Sequence, residues 1–448
     1  MKRNNTFLII PFAVLVSFAF LTNCMPPDAP VGPPATNSAN TSITNVVNTN
    51  GNLANSNGSG TSTLNSVPIT MPLIDSMFLD EEFLKEARAI GLSDEELTKL
   101  RDAARNEVLQ MDGGPGGDQQ RSTRSTVEKT KKKIEEIVGQ QKADQFLELV
   151  RRRWVGEGTD LEIAGPNSVP KDTRIVVNSP AYRMDLFKDG QLVKTYKIGI
   201  GYPEFPLPTG LRRAAEIIFN PEWTPPDEPW VKGKYRPYEK VEAGSKLNPL
   251  GVIKIPIGLP SLIHGGKDAS RLGTFASHGC VGLTNAMVQD FAVQLGQLSG
   301  TAITSQDIKK FEKAKTETKN VKLAEPVPVE LRYETIVVED GKLHIYRDVY
   351  ERGTNTEEDL KRVLAAYDVA FDKLSETDKA ALRDALAQMG VDAQGKTIPE
   401  AGNANAANSS KAKQGKVTRN IKGKKEIIIE LAELKGKGYP SAVASVGR

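Results

Sequence analysis

A chain of 448 residues is longer than one ordinary domain, so two or three folded units joined by linkers are expected. Its 59 basic residues nearly balance 56 acidic ones, which leaves no basic excess of the kind that holds nucleic acid through counterion release. Only two cysteines are present, Cys24 and Cys280, in surroundings so different that a disulfide framework has little support and each needs its own explanation.

The chain opens with Lys2 and Arg3, an apolar run from Phe7 to Leu21, and then Asn23-Cys24, the pattern of a signal peptide over residues 1–24. Leu21-Thr22-Asn23-Cys24 resembles a bacterial lipobox, in which the cysteine becomes the lipidated first residue after cleavage. Asn23 departs from the small residue usual there, and ordinary cleavage or an uncleaved anchor are the alternatives. The apolar run is short for a membrane span and is interrupted by Pro11, which favours processing. The expectation is an exported protein of the periplasm or cell envelope, held to a membrane by a lipid at Cys24.

Residues 25–70 are mostly Asn, Ser, Thr, Gly, Pro and Ala, too poor in apolar surface to offset chain entropy, and read as a disordered tether. A spacer with no reach-giving role fits that composition equally. Residues 71–156 read as a helical accessory region. Phe83, Leu84, Ala87 and Ile90 share one face, and Ser93-Asp94-Glu95-Glu96 reads as the capped start of the next helix. Past Gly113–Gly117, a helical stretch from about Ser125 to Trp154 carries Ile134, Ile137, Val138, Phe146, Leu147 and Val150 as its apolar stripe. The charged run Glu128 to Lys133 reads as a solvated face.

From Asp172 the period shortens to two. Arg174–Asn178, Tyr182–Phe187 and Val193–Ile200 are predicted strands, the first two followed by a hairpin turn at Lys188–Gln191. Prolines and glycines up to Gly266 exclude long helices there. A helix is predicted over Asn285–Leu298, with Met287, Phe291, Val293 and Leu295 for burial, and a hairpin over Leu331–Val338 and Lys342–Asp348. These elements define a mainly-β domain over 172–350 with its core in 172–305. A helical region over 355–400 and a flexible lysine-rich tail over 401–448, with a mixed segment around Ile427–Leu434, complete a multidomain α+β chain.

Of three histidines in the whole chain, His264 and His278 flank the internal cysteine in Ile263-His264-Gly265-Gly266 and Ser277-His278-Gly279-Cys280-Val281. A thiol with an ordinary pKa of about 8.5 becomes a good nucleophile when an imidazole takes its proton. Gly279 permits a tight turn before the cysteine, and the backbone N–H groups of Gly279 and Cys280 are candidates to meet an oxyanion. The same three side chains are competent zinc ligands, but no fourth ligand stands at a recognisable spacing. His344, in a predicted strand, reads as a structural imidazole. Trp223 and Trp230 read as core anchors, with a substrate rim as the alternative.

The run from His264 through Ser277-His278-Gly279-Cys280-Val281 resembles the signature of the peptidoglycan L,D-transpeptidases (YkuD type). Val176-Val177-Asn178, Met184–Phe187, Gly190, Gly199-Ile200-Gly201, Pro208-Thr209-Gly210, Pro221–Pro226 and Asn248–Gly251 resemble that family in the same order. The resemblance implies a β-sandwich catalytic domain with a short helix after the cysteine, flanked here by α-helical accessory regions. It makes Cys280 the acylated nucleophile, His264 its general base and the Gly265 carbonyl the group that orients His264, with Ser277 and His278 shaping the pocket. The implied reaction attacks the bond between a diamino acid and D-alanine in a stem tetrapeptide. The acyl group then passes to an amine on a second stem, a lipoprotein or a D-amino acid, with no metal or organic cofactor. Transfer to water, giving an L,D-carboxypeptidase, is one alternative. Many members carry arginine where this chain has Gly282, so a decayed wall-binding anchor is the other, and Arg271 or Lys267 is a cation that could substitute.

Overall fold

A computed structural model describes residues 69–78, 81–110, 123–155, 166–225, 231, 234–258, 261–398 and 418–443. The signal segment, Cys24, the tether up to residue 68 and Trp230 lie outside the described residues.

Five helices come first: α1 (Met71–Met77), α2 (Glu81–Ala89), α3 (Asp94–Gln110), α4 (Thr123–Val138) and α5 (Gln140–Val155). The start of α3 is a capping box, with the Ser93 N–H donating to Glu96 Oε2 at 2.7 Å and the Glu96 N–H to Ser93 Oγ at 3.2 Å. The single helix expected over Ser125–Trp154 is two, because Gly139 adopts φ +77 and breaks the run between α4 and α5. Phe83, Ala87, Leu100, Ile134, Phe146 and Val150 are buried together in a core of their own. No described helix is long and apolar enough to cross a membrane.

The β-rich region follows with β1 (Arg174–Asn178), β2 (Arg183–Lys188), β3 (Gln191–Lys197), β4 (Ile200–Gly201), β5 (Gly210–Phe219), β6 (Ile253–Pro256), β7 (Leu262–His264), β8 (Phe275–Ser277) and β9 (Val281–Gly282). Then come α6 (Asn285–Leu298), α7 (Ser305–Lys313), β10 (Lys319–Arg332), β11 (Ile336–Glu339) and β12 (Lys342–Tyr346). One curled sheet has the order β3-β2-β1-β10-β5-β6-β7-β9, while β4 and β8 pair separately and in parallel. The long strand β10 escaped the sequence reading, which ended the core at 305. It pairs in parallel with β1 and antiparallel with β5, and a register shift between Lys322 and Val327 accommodates Pro326.

Alternation along β1, β2 and β10 separates two interiors. Ile175, Val177, Met184, Leu186, Val329 and Leu331 enter the main core, which α6 seals with Val288, Phe291, Ala292 and Leu295, spaced for one helical face. Arg174, Arg183, Asp185, Glu330 and Arg332 lie on the opposite face and are also buried. Tyr346 and Tyr439 are buried with Val176 and Phe187 in the cluster on that face.

The expected helical region over 355–400 contains α8 (Glu357–Ala365) and α9 (Glu376–Met389), separated where Asp368 takes φ +59 and restarted by Ser375, whose Oγ accepts the Asp378 N–H at 3.1 Å. Residues 418–443 correct the expectation of a flexible tail. They contain β13 (Glu426–Glu430), which joins β11 and β12 in a three-stranded sheet with Leu343 opposite Ile429. Ile427–Ile429 supply strand-forming side chains, but only the free edge of β12 supplies the backbone partners. The described residues are mixed α+β, with a curled β-sheet in the β-rich region and several helices outside it.

Candidate active site

Strands β7 and β9 run in parallel, with Ile263 opposite Val281 and His264 opposite Gly282. Residues in register share a face, and successive residues alternate. Ile263 and Val281 are fully buried in the main core, so Leu262, His264 and Gly282 lie on the other face. Cys280, one residue before β9, continues that face beside Leu262, diagonally across from His264. With strands about 4.8 Å apart and a rise of about 3.3 Å per residue, such diagonal neighbours lie roughly 8 Å apart at Cα, within reach of an imidazole and a thiol.

The turn that delivers Cys280 is closed by Ser277 at the end of β8. The buried Ser277 Oγ accepts the Cys280 N–H at 3.0 Å and donates to the Cys280 carbonyl at 2.5 Å. Gly279 has φ +93, a conformation side chains resist, and Ser261 Oγ donates to its carbonyl at 2.8 Å. One expectation changes here. The Cys280 N–H points at Ser277 rather than at an oxyanion, because the serine hydroxyl captures it. Of the two expected amides, only that of Gly279 has no hydrogen-bond acceptor among the described residues.

His264 is buried, and its Nδ1 lies 2.7 Å from the Gly265 carbonyl. A carbonyl only accepts, so Nδ1 carries the proton and Nε2 keeps its lone pair. Burial pushes His264 down to about 3; Lys267 adds to this, and the Gly265 and Leu250 carbonyls oppose it. Gly265 is itself held: a Cβ there would come within 2.6 Å of Asn285 Oδ1, which accepts the N–H groups of Gly266 at 2.8 Å and Val252 at 3.2 Å. The first residue of α6 thus fixes the segment that orients the imidazole.

His278 stands edge-on to Tyr202 and Phe205, with ring centroids 5.0 and 4.8 Å away, and is also pushed to about 3, by burial, Lys267 and Arg419. It forms a neutral wall. Cys280 is a half-buried free thiol whose pKa is raised by burial, while the Leu262 backbone N–H and Lys267 favour the thiolate. Burial therefore favours the thiol and the neutral imidazole.

The remaining expected residues fall elsewhere. His344 lies in the three-stranded sheet, with Nδ1 2.5 Å from a Glu426 carboxylate oxygen. Trp223 bridges to Val241 and packs edge-on against Tyr235 at 4.8 Å. Among the described residues no group of three or more His, Cys, Asp or Glu could hold a metal ion. Sequence reading missed Ser261, Asn285 and Glu204, whose carboxylate accepts both the N–H and the hydroxyl of Thr418 at 3.0 Å and so ties the C-terminal segment to the Tyr202–Phe205 loop. Their only sequence signal was proximity to the motif, or none at all.

Residues 172–318 match the family model described as the L,D-transpeptidase catalytic domain, YkuD. The chain is similar to the catalytic domain of the Enterococcus faecium L,D-transpeptidase at 16% identity and TM-score 0.23, covering 37% of this chain and 100% of that one. It is similar to an L,D-transpeptidase of Mycobacterium smegmatis at 13% identity and TM-score 0.21 (36% and 58% covered) and to one of Mycobacterium tuberculosis at 15% and 0.21 (38% and 58% covered). The chain thus spans under two thirds of the length of these mycobacterial proteins. No curated protein matches it.

Proposed function

We propose that this protein is an exported peptidoglycan L,D-transpeptidase, held to a membrane by a lipid at Cys24, whose nucleophile is Cys280 and whose base is His264. The observation that carries the reading is the register of β7 against β9, which sets His264 and Cys280 on one face while Ser277 closes the turn between β8 and β9. The match of residues 172–318 to the catalytic-domain family supports the same chemistry.

In this reading the stem tetrapeptide presents the carbonyl of its diamino acid to Cys280. His264 Nε2 takes the thiol proton as sulfur attacks, and the oxygen of the tetrahedral intermediate meets the Gly279 N–H. The C–N bond to D-alanine breaks, and the leaving amine receives the proton from His264. An acceptor amine then attacks the thioester, gives a proton to His264 and expels the thiolate, which recovers that proton. A neutral His264 in the resting state suits it to begin as a base. The acceptor is a second stem, a lipoprotein or a D-amino acid.

Incubating the protein with a disaccharide tetrapeptide and weighing the products tests this. Cross-linked dimers with released D-alanine support transfer. Tripeptide alone indicates an L,D-carboxypeptidase, and unchanged substrate indicates a wall-binding anchor.

A further inference from the structure

The backbone of Gly282 does not call for glycine. Its φ lies outside the left-handed range, and it sits in a short strand held on both sides, exchanging hydrogen bonds of 2.9 and 2.8 Å with Gly199 and pairing with His264. What excludes a side chain is Lys267. A Cβ on Gly282 would lie 2.8 Å from Lys267 Cγ, 3.4 Å from Cδ and 3.1 Å from Cε. The lysine stem therefore lies flat across the Gly282 Cα. By the alternation of β9, this is the face shared by Cys280 and His264.

The start of that stem is fixed, because the Lys267 N–H donates to the Leu283 carbonyl at 3.0 Å. We infer that Lys267, running through the space a side chain at position 282 would fill, supplies the positive charge that stabilises the Cys280 thiolate. It acts through the sulfur as a positioning charge. The inference rests on the reading of Cys280 as the nucleophile and gives that site a cation that the sequence motif itself lacks.

The surrounding charges agree. Burial, Arg271 and Lys234 lower the Lys267 pKa, and Cys280 is the group that raises it. His264 and His278 stay neutral and do not compete as cations. The Arg271 guanidinium donates to the Phe275 carbonyl, and the charge of Arg419 in the C-terminal segment acts on His278. Among these groups Lys267 alone acts on Cys280, His264 and His278 together. A single ammonium over the strand thus favours the thiolate and disfavours protonation of the base.

The test is the pH dependence of Cys280 alkylation by iodoacetamide, followed by intact mass on the full chain, with Cys280→Ala as the blank. Lys267→Met is expected to slow alkylation at neutral pH about tenfold, as a one-unit rise in thiol pKa requires. Lys267→Arg is expected to keep the wild-type profile, and Lys267→Ala combined with Gly282→Arg to recover most of it by sending a cation through the same space from the other side. Superimposable profiles for wild type and Lys267→Met overturn the inference. If Lys267→Met loses its circular-dichroism signal, the double variant decides: recovery supports the inference, and a profile shifted like a charge-free site overturns it. A wild-type Cys280 that resists alkylation until the protein unfolds removes the nucleophile reading instead.

Discussion

On the outer face of β1, β2 and β10, Glu330 sits between Arg174 and Arg332 at 2.9 and 2.8 Å, and Arg183 reaches both Asp185 and Glu339 at 2.7 Å. Beside β7 and β9 the arrangement is the reverse: two imidazoles and a thiol are shifted by burial, and the charges acting on them come from Lys267 and Arg419. Both regions are buried and polar. In the first, each charge meets its opposite, and pairing offsets part of the desolvation, while burial still raises the Asp185 pKa. In the second, burial is the largest cause of every shift and favours the uncharged forms. The difference separates polar burial that pairs charges from polar burial that leaves groups neutral.

The largest effect should come from deleting the sulfur. Cys280→Ala is expected to lose all turnover and the covalent mass increment from a carbapenem-type β-lactam, with little change in melting; an increment that persists in Cys280→Ala would place the reactive group elsewhere. His264→Gln should lower turnover about 10²–10⁴-fold, the usual contribution of a general base.

Next, Glu330→Gln removes the carboxylate shared by Arg174 and Arg332, leaving Arg174 with Asp172 at 2.6 Å and Arg332 with Glu334 at 3.7 Å, and should cost about 3 kcal/mol in urea unfolding, with turnover per folded molecule unchanged. A loss under about 1 kcal/mol would mean that the network is ornamental and the comparison fails.

The histidines predict a specific acid response. Their folded pKa values, about 3, lie below the ordinary 6.5, so the unfolded chain takes up protons first as pH falls. Stability should therefore decline between pH 6.5 and about 3, and replacing both residues with glutamine should flatten that decline in calorimetric scans. An identical decline in the double variant would locate the acid sensitivity in the paired network. The smallest change lies outside both regions: Ser93→Ala removes the α3 cap for about 1 kcal/mol and should leave the alkylation profile of Cys280 untouched.

Much of the fold was legible. The boundaries of β1 and α6 could be read from alternation and helical spacing, and the α3 cap from Ser93 and Glu96, because each of these signals is local. β10 was hidden by Pro326 and Pro328, residues a strand tolerates only where a partner bulges or leaves their nitrogen unpaired. The strand β13 was hidden by the lysines around it. At the site, the candidates His264 and Cys280 came from the rarity of histidine and cysteine and Ser277 from the motif, whereas the hydrogen bonds from Ser261 and to Asn285 left no signal in the sequence.

The sequence by itself determined which groups could do chemistry: a lone internal thiol, two nearby imidazoles and a glycine turn are covalent facts within seventeen residues. Only the tertiary structure decided how they are charged and aimed. The register of β7 against β9, the capture of the Cys280 amide by Ser277 and the passage of Lys267 over Gly282 each depend on strands meeting across the sheet. Burial and electrostatic coupling are properties of that meeting, and no residue carries them alone.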